Sequence, residues 1–275
     1  MGEYLSIDEV SLAQGELYTF VTNKNGRGKS GSLVASIKGT LSQDIVNVLG
    51  KLPLGLRKSV KEVTLDMAKN METAIKQSLP CATLVTDRFH VVKLSMEALQ
   101  HIRVKYRWIE LDIENNAIEQ AKEKGTKYSA PVLDNGDTPK QLLARCRYIL
   151  AKKASEWTKN QQQRANLLFK HYPEIKTAYD HVQEFRSIYE LITREQARLR
   201  FAQWIDKTNT IKIKEFNTVA NTVKYNLENI LNFFNNRNTN ANAESFNSKI
   251  KLFRANLRGV TDTTFFLFRL TKLFA

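Results

Sequence analysis

Residues 63–94 read VTLDMAKNMETAIKQSLPCATLVTDRFHVVKL, and the fold is decided by how this stretch is parsed. Val63 to Leu65 is a short apolar strand that stops at Asp66. Asn70 opens a helix through Met71, Ala74 and Ile75, and Pro80 closes it, because proline has no amide donor to continue the ladder. Ala82 to Val85 is a second short apolar strand, ending at Thr86 and Asp87. Strand, helix and strand in such quick succession predict a right-handed crossover between parallel strands.

Upstream, the pattern is one of hairpins. Tyr4 to Leu12 alternates Leu5 and Ile7 against Ser6 and Asp8. Glu16 to Thr22 alternates Leu17, Thr19 and Val21 against Tyr18 and Phe20, and Ser32 to Ile37 is a third strand. Gly15 marks the first turn, and Asn23 to Gly31, with Gly26, Gly28 and Gly31, is a hairpin-type loop. Ser42 then caps a helix through Ile45, Val46 and Leu49. The expected fold is therefore α/β, with a mixed five-stranded sheet in the order β-β-β-α-β-α-β. That is the order of RNase H-like cores.

Downstream, from Arg88 to about Phe234, the signal is helical. Phe89, Val92, Met96, Leu99 and Ile102 fall on one face. Thr138, Pro139 and Gln141 form a capping box with proline at the first helical position. Pro173 starts another helix, one begins near Thr193, and Phe216, Val219, Val223, Leu227, Leu231 and Phe234 make one amphipathic stripe. Lys124 to Asp137 is the loop within this block, and Trp108, Trp157 and Trp204 are read as packing residues. After the Asn-rich segment Asn235 to Asn242, a helix near Ala243 carries Phe246, Ile250, Phe253 and Leu257 on one face. Its other face carries Glu244, Asn247, Ser248, Lys251, Ala255 and Arg258. A last apolar segment, Phe265 to Phe274, packs back on the core. The expected organisation is a core in two parts, 1–94 and 236–275, around an all-helical insertion, 95–235, between the fifth strand and the C-terminal catalytic helix.

The 275 residues are 42% hydrophobic, enough to bury a core, and Lys plus Arg exceed Asp plus Glu by 42 to 28, a net charge of +14. That surplus suits a polyanion, of which nucleic acid is the commonest. No run of about 18 uninterrupted apolar residues exists, so a membrane partner is not expected. The two cysteines, Cys81 and Cys146, argue against a disulfide framework or a Cys-rich zinc site and fit a reducing compartment. Met1 runs almost directly into a strand without a signal-peptide pattern, so a cytoplasmic, nucleoid-associated location is expected.

Asp8 in the first strand and Asp66 at the end of the fourth belong to neighbouring strands in this order, so their carboxylates can meet. Such a pair holds hard divalent cations, which prefer oxygen ligands. Two ions about 4 Å apart can activate a water or 3′-hydroxyl and steady the leaving oxygen of a phosphodiester. Glu244, the only acidic residue between Glu228 and Asp262, is the candidate third carboxylate. Asp87 and His90 form a second constellation able to bind metal, orient a carboxylate or contact a phosphate backbone. Lys249, Lys251, Arg254 and Arg258 can follow that backbone.

The stretches IDEVSL, VTLDMAKNMETAIKQSLPCATLVTDRFHVVKL and NANAESFNSKIKLFRANLRG resemble DDE insertion-sequence transposases of the ISL-three group, over essentially the whole chain. The resemblance implies Mg²⁺- or Mn²⁺-dependent cleavage of double-stranded DNA at transposon ends, using two ions, and strand transfer by a 3′-hydroxyl. It implies that Asp8 and Glu244 are the first and last carboxylates. For the middle one, strand order favours Asp66, with Asp87 and His90 auxiliary or Asp87 the alternative. The DNA-contacting set expected is Arg88, Lys93, Asn247, Lys249, Lys251, Arg254 and Arg258. Family members carry zinc-binding and helix-turn-helix segments before the core, so end recognition is expected from a separate polypeptide or a truncated segment. Synapsis of two ends implies a homo-oligomer. A structure-specific nuclease or resolvase on the same fold, and a domesticated non-catalytic DNA-binding protein, are the competing readings.

Overall fold

The structure is a computed structural model, and it describes residues 1–12, 15–257 and 262–275. The chain divides into two compact units, Met1–Val91 with Asn226–Ala275, and Val92–Tyr225.

The first unit is built on a five-stranded sheet in the order β3-β2-β1-β4-β5. Its strands are β1 (Tyr4–Ser11), β2 (Leu17–Asn23), β3 (Leu33–Lys38), β4 (Glu62–Leu65) and β5 (Thr83–Thr86). The two hairpins predicted from the turn residues pair antiparallel, while β4 and β5 add parallel to β1, as the crossover in 63–94 requires. Helices α1 (Ser42–Leu49), α2 (Leu54–Lys58) and α3 (Lys69–Ser78) lie between the strands in sequence. The short α2 went unanticipated.

Alternation assigns one partner to each side of the sheet. Leu5, Ile7, Val63, Leu65 and Leu84 pack with Ile45 and Leu49 of α1 and Met71, Ala74 and Ile75 of α3. The opposite side places Val10, Tyr18, Phe20 and Leu33 against Phe246 and Ile250 of α12 (Ala241–Asn256) and Phe266 and Leu270 of α13 (Thr263–Phe274). Each such side chain, fully buried, contributes about 1.5–3 kcal/mol. Together they hold α12 across the sheet next to β1.

The helices leading to α12 differ from the continuous stripe expected over 216–234. They are three: α9 (Lys214–Tyr225), α10 (Leu227–Leu231) and α11 (Phe233–Asn236). The breaks fall at Asn226 and Asn232. Asparagine amides compete with the helix for backbone partners, and Asn232 Nδ2 donates 2.8 Å to the Leu84 carbonyl.

The second unit contains most of α4 (Arg88–Glu123), with α5 (Pro139–Arg145), α6 (Lys159–His171), α7 (Pro173–Ile188), α8 (Arg194–Ile211) and α9. The predicted box at Thr138 is half made, Gln141 Oε1 accepting from the Thr138 amide at 3.0 Å while the Thr138 hydroxyl makes no hydrogen bond, and Lys124 to Asp137 is free of helix. Trp204 is fully buried and stacks on His181 at 4.3 Å. Buried Asp137 pairs with Arg145 and Arg164. Two expectations are corrected here. Trp108 is 62% exposed rather than packed, and the buried line of α4 runs through Val91, Ser95, Leu99 and Ile102, leaving Phe89 56% exposed. Ser95 belongs to that line because its hydroxyl is satisfied within the helix by the Val92 carbonyl, which a count of apolar residues does not register.

Candidate active site

The pairing of β1 with β4 runs to Ser6 opposite Thr64, and that of β4 with β5 to Leu65 opposite Thr86. Continuing that register places Asp8, in the middle of β1, near Asp66 and Asp87, which lie just past the ends of β4 and β5. Neighbouring strands lie about 4.8 Å apart, so these carboxylates share one field. The shared parity also turns them to the side of the sheet that carries α12.

Each carboxylate is held differently. Asp8 accepts from the Glu9 amide at 2.9 Å and from Asn247 Nδ2 at 2.6 Å. Burial drives its pKa up to about 6, with the like charge of Asp66 adding to the rise; the two hydrogen bonds and the charge of His90 oppose it. Asp66 accepts from the Ala68 amide at 2.7 Å, an Asx turn that launches α3. Asp87 is 1% exposed and fully engaged, accepting from the Asn240 amide at 3.2 Å and bonding His90 Nδ1 at 3.1 Å. That bond raises the His90 pKa, with the charges of Asp87, Asp66 and Asp8 assisting against desolvation.

The structure therefore brings Asp8, Asp66, Asp87 and His90 together. Glu244 stands in the first turn of α12, three residues before Asn247, and is exposed. Among the described residues, no three His, Cys, Asp or Glu side chains converge closely enough to hold one ion. The oxygen donors present still fit a hard cation. Asp8 and Asp66 are paired carboxylates, and Asn247 Oδ1, beside Asp8, is buried without a partner. A cation such as Mg²⁺ is commonly held by one or two carboxylates, with water and substrate phosphate completing its shell.

The expected DNA-contacting residues separate. Asn247 is not on an outward face: it is 8% exposed and bound to Asp8. Arg254 is drawn into a 3.3 Å pair with Glu16 and lies over the Phe266 ring. Lys249, Lys251, Arg88 and Lys93 are exposed; Lys249 donates to the Gly28 carbonyl, Arg88 lies over Phe233 and Lys93 sits 3.8 Å from Glu97. Arg258 lies outside the described residues.

Sequence reasoning missed a buried polar network that anchors the approach to α12. Lys24 Nζ lies 3.4 Å from Glu62 and bonds the Thr64 hydroxyl. Asn236 and Asn238 donate to the two oxygens of Glu62 at 3.0 and 2.7 Å. With Asn232 on Leu84 and the Asn240 amide on Asp87, the Asn-rich segment is fastened to β4 and β5 at four points. The signal was the spacing Asn232, Asn236, Asn238, Asn240, together with the shared parity of Glu62, Thr64 and Asp66.

Comparison with known proteins fits this geometry. A family model described as Transposase, of the DDE ISL-three type, matches residues 5–270. The transposase for insertion sequence element IS1001 of Bordetella parapertussis is 24% identical over 275 residues, covering 99% of this chain and 61% of that protein. The chain thus spans about three fifths of the length of the curated relative it matches. No helix among the described residues is long and apolar enough to cross a membrane. With a family match running from β1 into α13 and spanning both Asp8 and Asp66, this chain belongs to the ISL-three group of DDE transposases.

Proposed function

We propose that this chain is the catalytic part of a transposase with an RNase H-like core, interrupted by a helical insertion. It hydrolyses DNA phosphodiester bonds at transposon ends and joins the freed 3′-hydroxyl to a target. Hydrolysis adds water across one P–O bond and leaves a 3′-hydroxyl and a 5′-phosphate. In joining, that hydroxyl displaces a 3′-oxygen of the target, so bonds made equal bonds broken and no external energy source is needed.

The observation that carries this reading is the nearness of the Asp8 and Asp66 carboxylates, one within β1 and one just past β4, with Asn247 of α12 bonded to Asp8. Asp8 and Asp66 would hold Mg²⁺ or Mn²⁺, as one ion or a pair, with Glu244 as third ligand. The metal supplies charge neutralisation and a lowered pKa for the attacking hydroxyl. Asn247 orients the Asp8 carboxylate. Asp87 is a positioning residue in this scheme, because both its oxygens are spent on His90 and the start of α12. Double-stranded DNA is the partner, with sequence-specific recognition of ends outside this core and a homo-oligomer at synapsis.

The test is incubation of end-bearing duplex and target plasmid with the protein in Mg²⁺ or Mn²⁺. Nicked ends together with covalently joined product are expected. Nicking without joining would make the protein a nuclease, and binding without nicking a non-catalytic DNA-binding protein; either result overturns the proposal.

A further inference from the structure

Resting on the DNA reading above, we propose that the loop between β2 and β3 is a DNA-backbone contact, with Arg27 and Lys29 each gripping a phosphate. Both side chains are exposed, and neither has an ion-pair partner among the described residues. The loop is a built structure. Asn23 spans it, accepting from the Asn25 amide at 3.2 Å and donating to the Gly31 carbonyl at 3.1 Å, while the Asn23 amide donates to the Ser32 carbonyl at 2.7 Å. Gly26 packs so closely on Ser32 that a Cβ would lie 2.4 Å from its hydroxyl. Arg27 and Gly28 both take positive φ, at 49° and 72°, which turns the tip outward.

The tip is tied to the helix that carries Glu244. Lys249 Nζ donates to the Gly28 carbonyl at 2.9 Å, and Asn242 Nδ2 reaches the Lys24 carbonyl at 3.4 Å. A Cβ on Gly28 would sit 2.9 Å from Lys249 Nζ, the flexible end of a side chain that can shift, so this position needs glycine for its φ and the added carbon would disturb the tie to α12. Two free cations thus stand on a braced loop fastened to one flank of α12, while Asn247 holds the other flank to Asp8. Glu244 and Lys249 border the exposed face of α12 from opposite sides, so a duplex lying across that face with a phosphodiester at Glu244 would bring its backbone to the loop tip. A loop backbone braced in advance adds no ordering cost of its own on meeting DNA, and two separated cations on it favour a polyanion running past the helix over a single small anion.

The experiment is a salt titration of the whole chain on a duplex of about twenty base pairs, comparing wild type, Arg27→Gln, Lys29→Gln and the double variant. A control, Lys51→Gln with Lys58→Gln, removes equal charge from exposed positions at the ends of α1 and α2. Each phosphate contact contributes about 0.9 to the slope of log K against log salt. The expected loss is about 0.9 for each single variant and about 1.8 for the double, close to 60-fold in affinity at 0.1 M salt, with the control near wild type. An unchanged slope in the double variant overturns the loop's role while leaving DNA binding intact, as does an equal drop in the control. No DNA binding by the wild type would overturn the underlying DNA reading together with this inference.

Discussion

Replacing Glu62 with methionine removes the anion from the buried network under the Asn-rich segment, and the cost can be worked from its surroundings. Glu62 is 3% exposed and Lys24 9%. The substitution leaves the Lys24 ammonium with the Thr64 hydroxyl as its hydrogen-bond partner and only the more distant charge of Asp87 opposite it. Breaking a buried pair from one side costs about 3–5 kcal/mol, because the remaining charge is uncompensated. Asn236 and Asn238 lose an acceptor too, but they line an open pocket with Tyr4, Asn25 and Lys24 itself, where water can replace it and can also reach the ammonium. The figure therefore settles at the low end of that range, about 3 kcal/mol. Lys24→Met should cost less, about 2 kcal/mol, since Glu62 keeps two amide donors. The double variant should fall short of the sum by about 2 kcal/mol. Urea unfolding followed by circular dichroism, with all four proteins side by side, measures this cycle. Burial already lowers the Lys24 pKa. The folded state therefore sheds this proton before the unfolded state does, and the Glu62→Met deficit should shrink as pH rises toward the unfolded lysine value. Strict additivity, or a Glu62→Met cost below about 1 kcal/mol, would refute the reasoning and make this a solvated surface pair.

Two further outcomes follow from the same geometry. Asn247→Ala removes the 2.6 Å donor to Asp8, one of the bonds that limit the burial-driven rise of its pKa, which stands at about 6. The acid limb of Mn²⁺ binding, followed by calorimetry, should move to higher pH, and an unmoved limb would show that the amide does not govern Asp8. In the helical unit, burial holds the His181 pKa down to about 4, well below its ordinary 6.5. The unfolded state takes up this proton first as pH falls, so stability present above about pH 6.5 is lost progressively toward pH 4. Between pH 7 and pH 5 the loss should be about 2 kcal/mol, and His181→Gln should flatten that part of the profile; an equally steep profile in the variant would place the acid sensitivity elsewhere.

The sheet was legible in the sequence because its signals are local. Glycine turns at 15 and 26–31, period-two alternation in β1 and β2, and the strand–helix–strand of 63–94 each act within a few residues. Asp8 and Asp66 followed from strand order alone. What escaped was set by contacts between distant segments. The burial of Asn247 depends on a partner 239 positions away, and the role of Glu62 on amides 174 and 176 positions away. An amide on a helix bearing lysines and arginines looks solvent-facing until the sheet it crosses is in place. The asparagines of 235–242 similarly read as a loop, since hydrogen bonds to side chains of distant strands leave no periodic trace. Phe89 and Trp108 erred the other way, because apolar character alone does not say that a side chain is covered.

The most direct measurement is the rate of end cleavage in Mn²⁺ by Asp8→Asn, Asp66→Asn, Glu244→Gln and Asp87→Asn, each checked for folding by its melting curve. Loss of a catalytic metal ligand should lower the rate at least about a thousandfold, so Asp8→Asn, Asp66→Asn and Glu244→Gln are expected at background. Asp87→Asn should keep measurable cleavage with a lowered melting temperature, as fits a residue that anchors the start of α12. Near-normal cleavage by Asp66→Asn beside a folded but inactive Asp87→Asn would contradict the assignment and move the second carboxylate to β5.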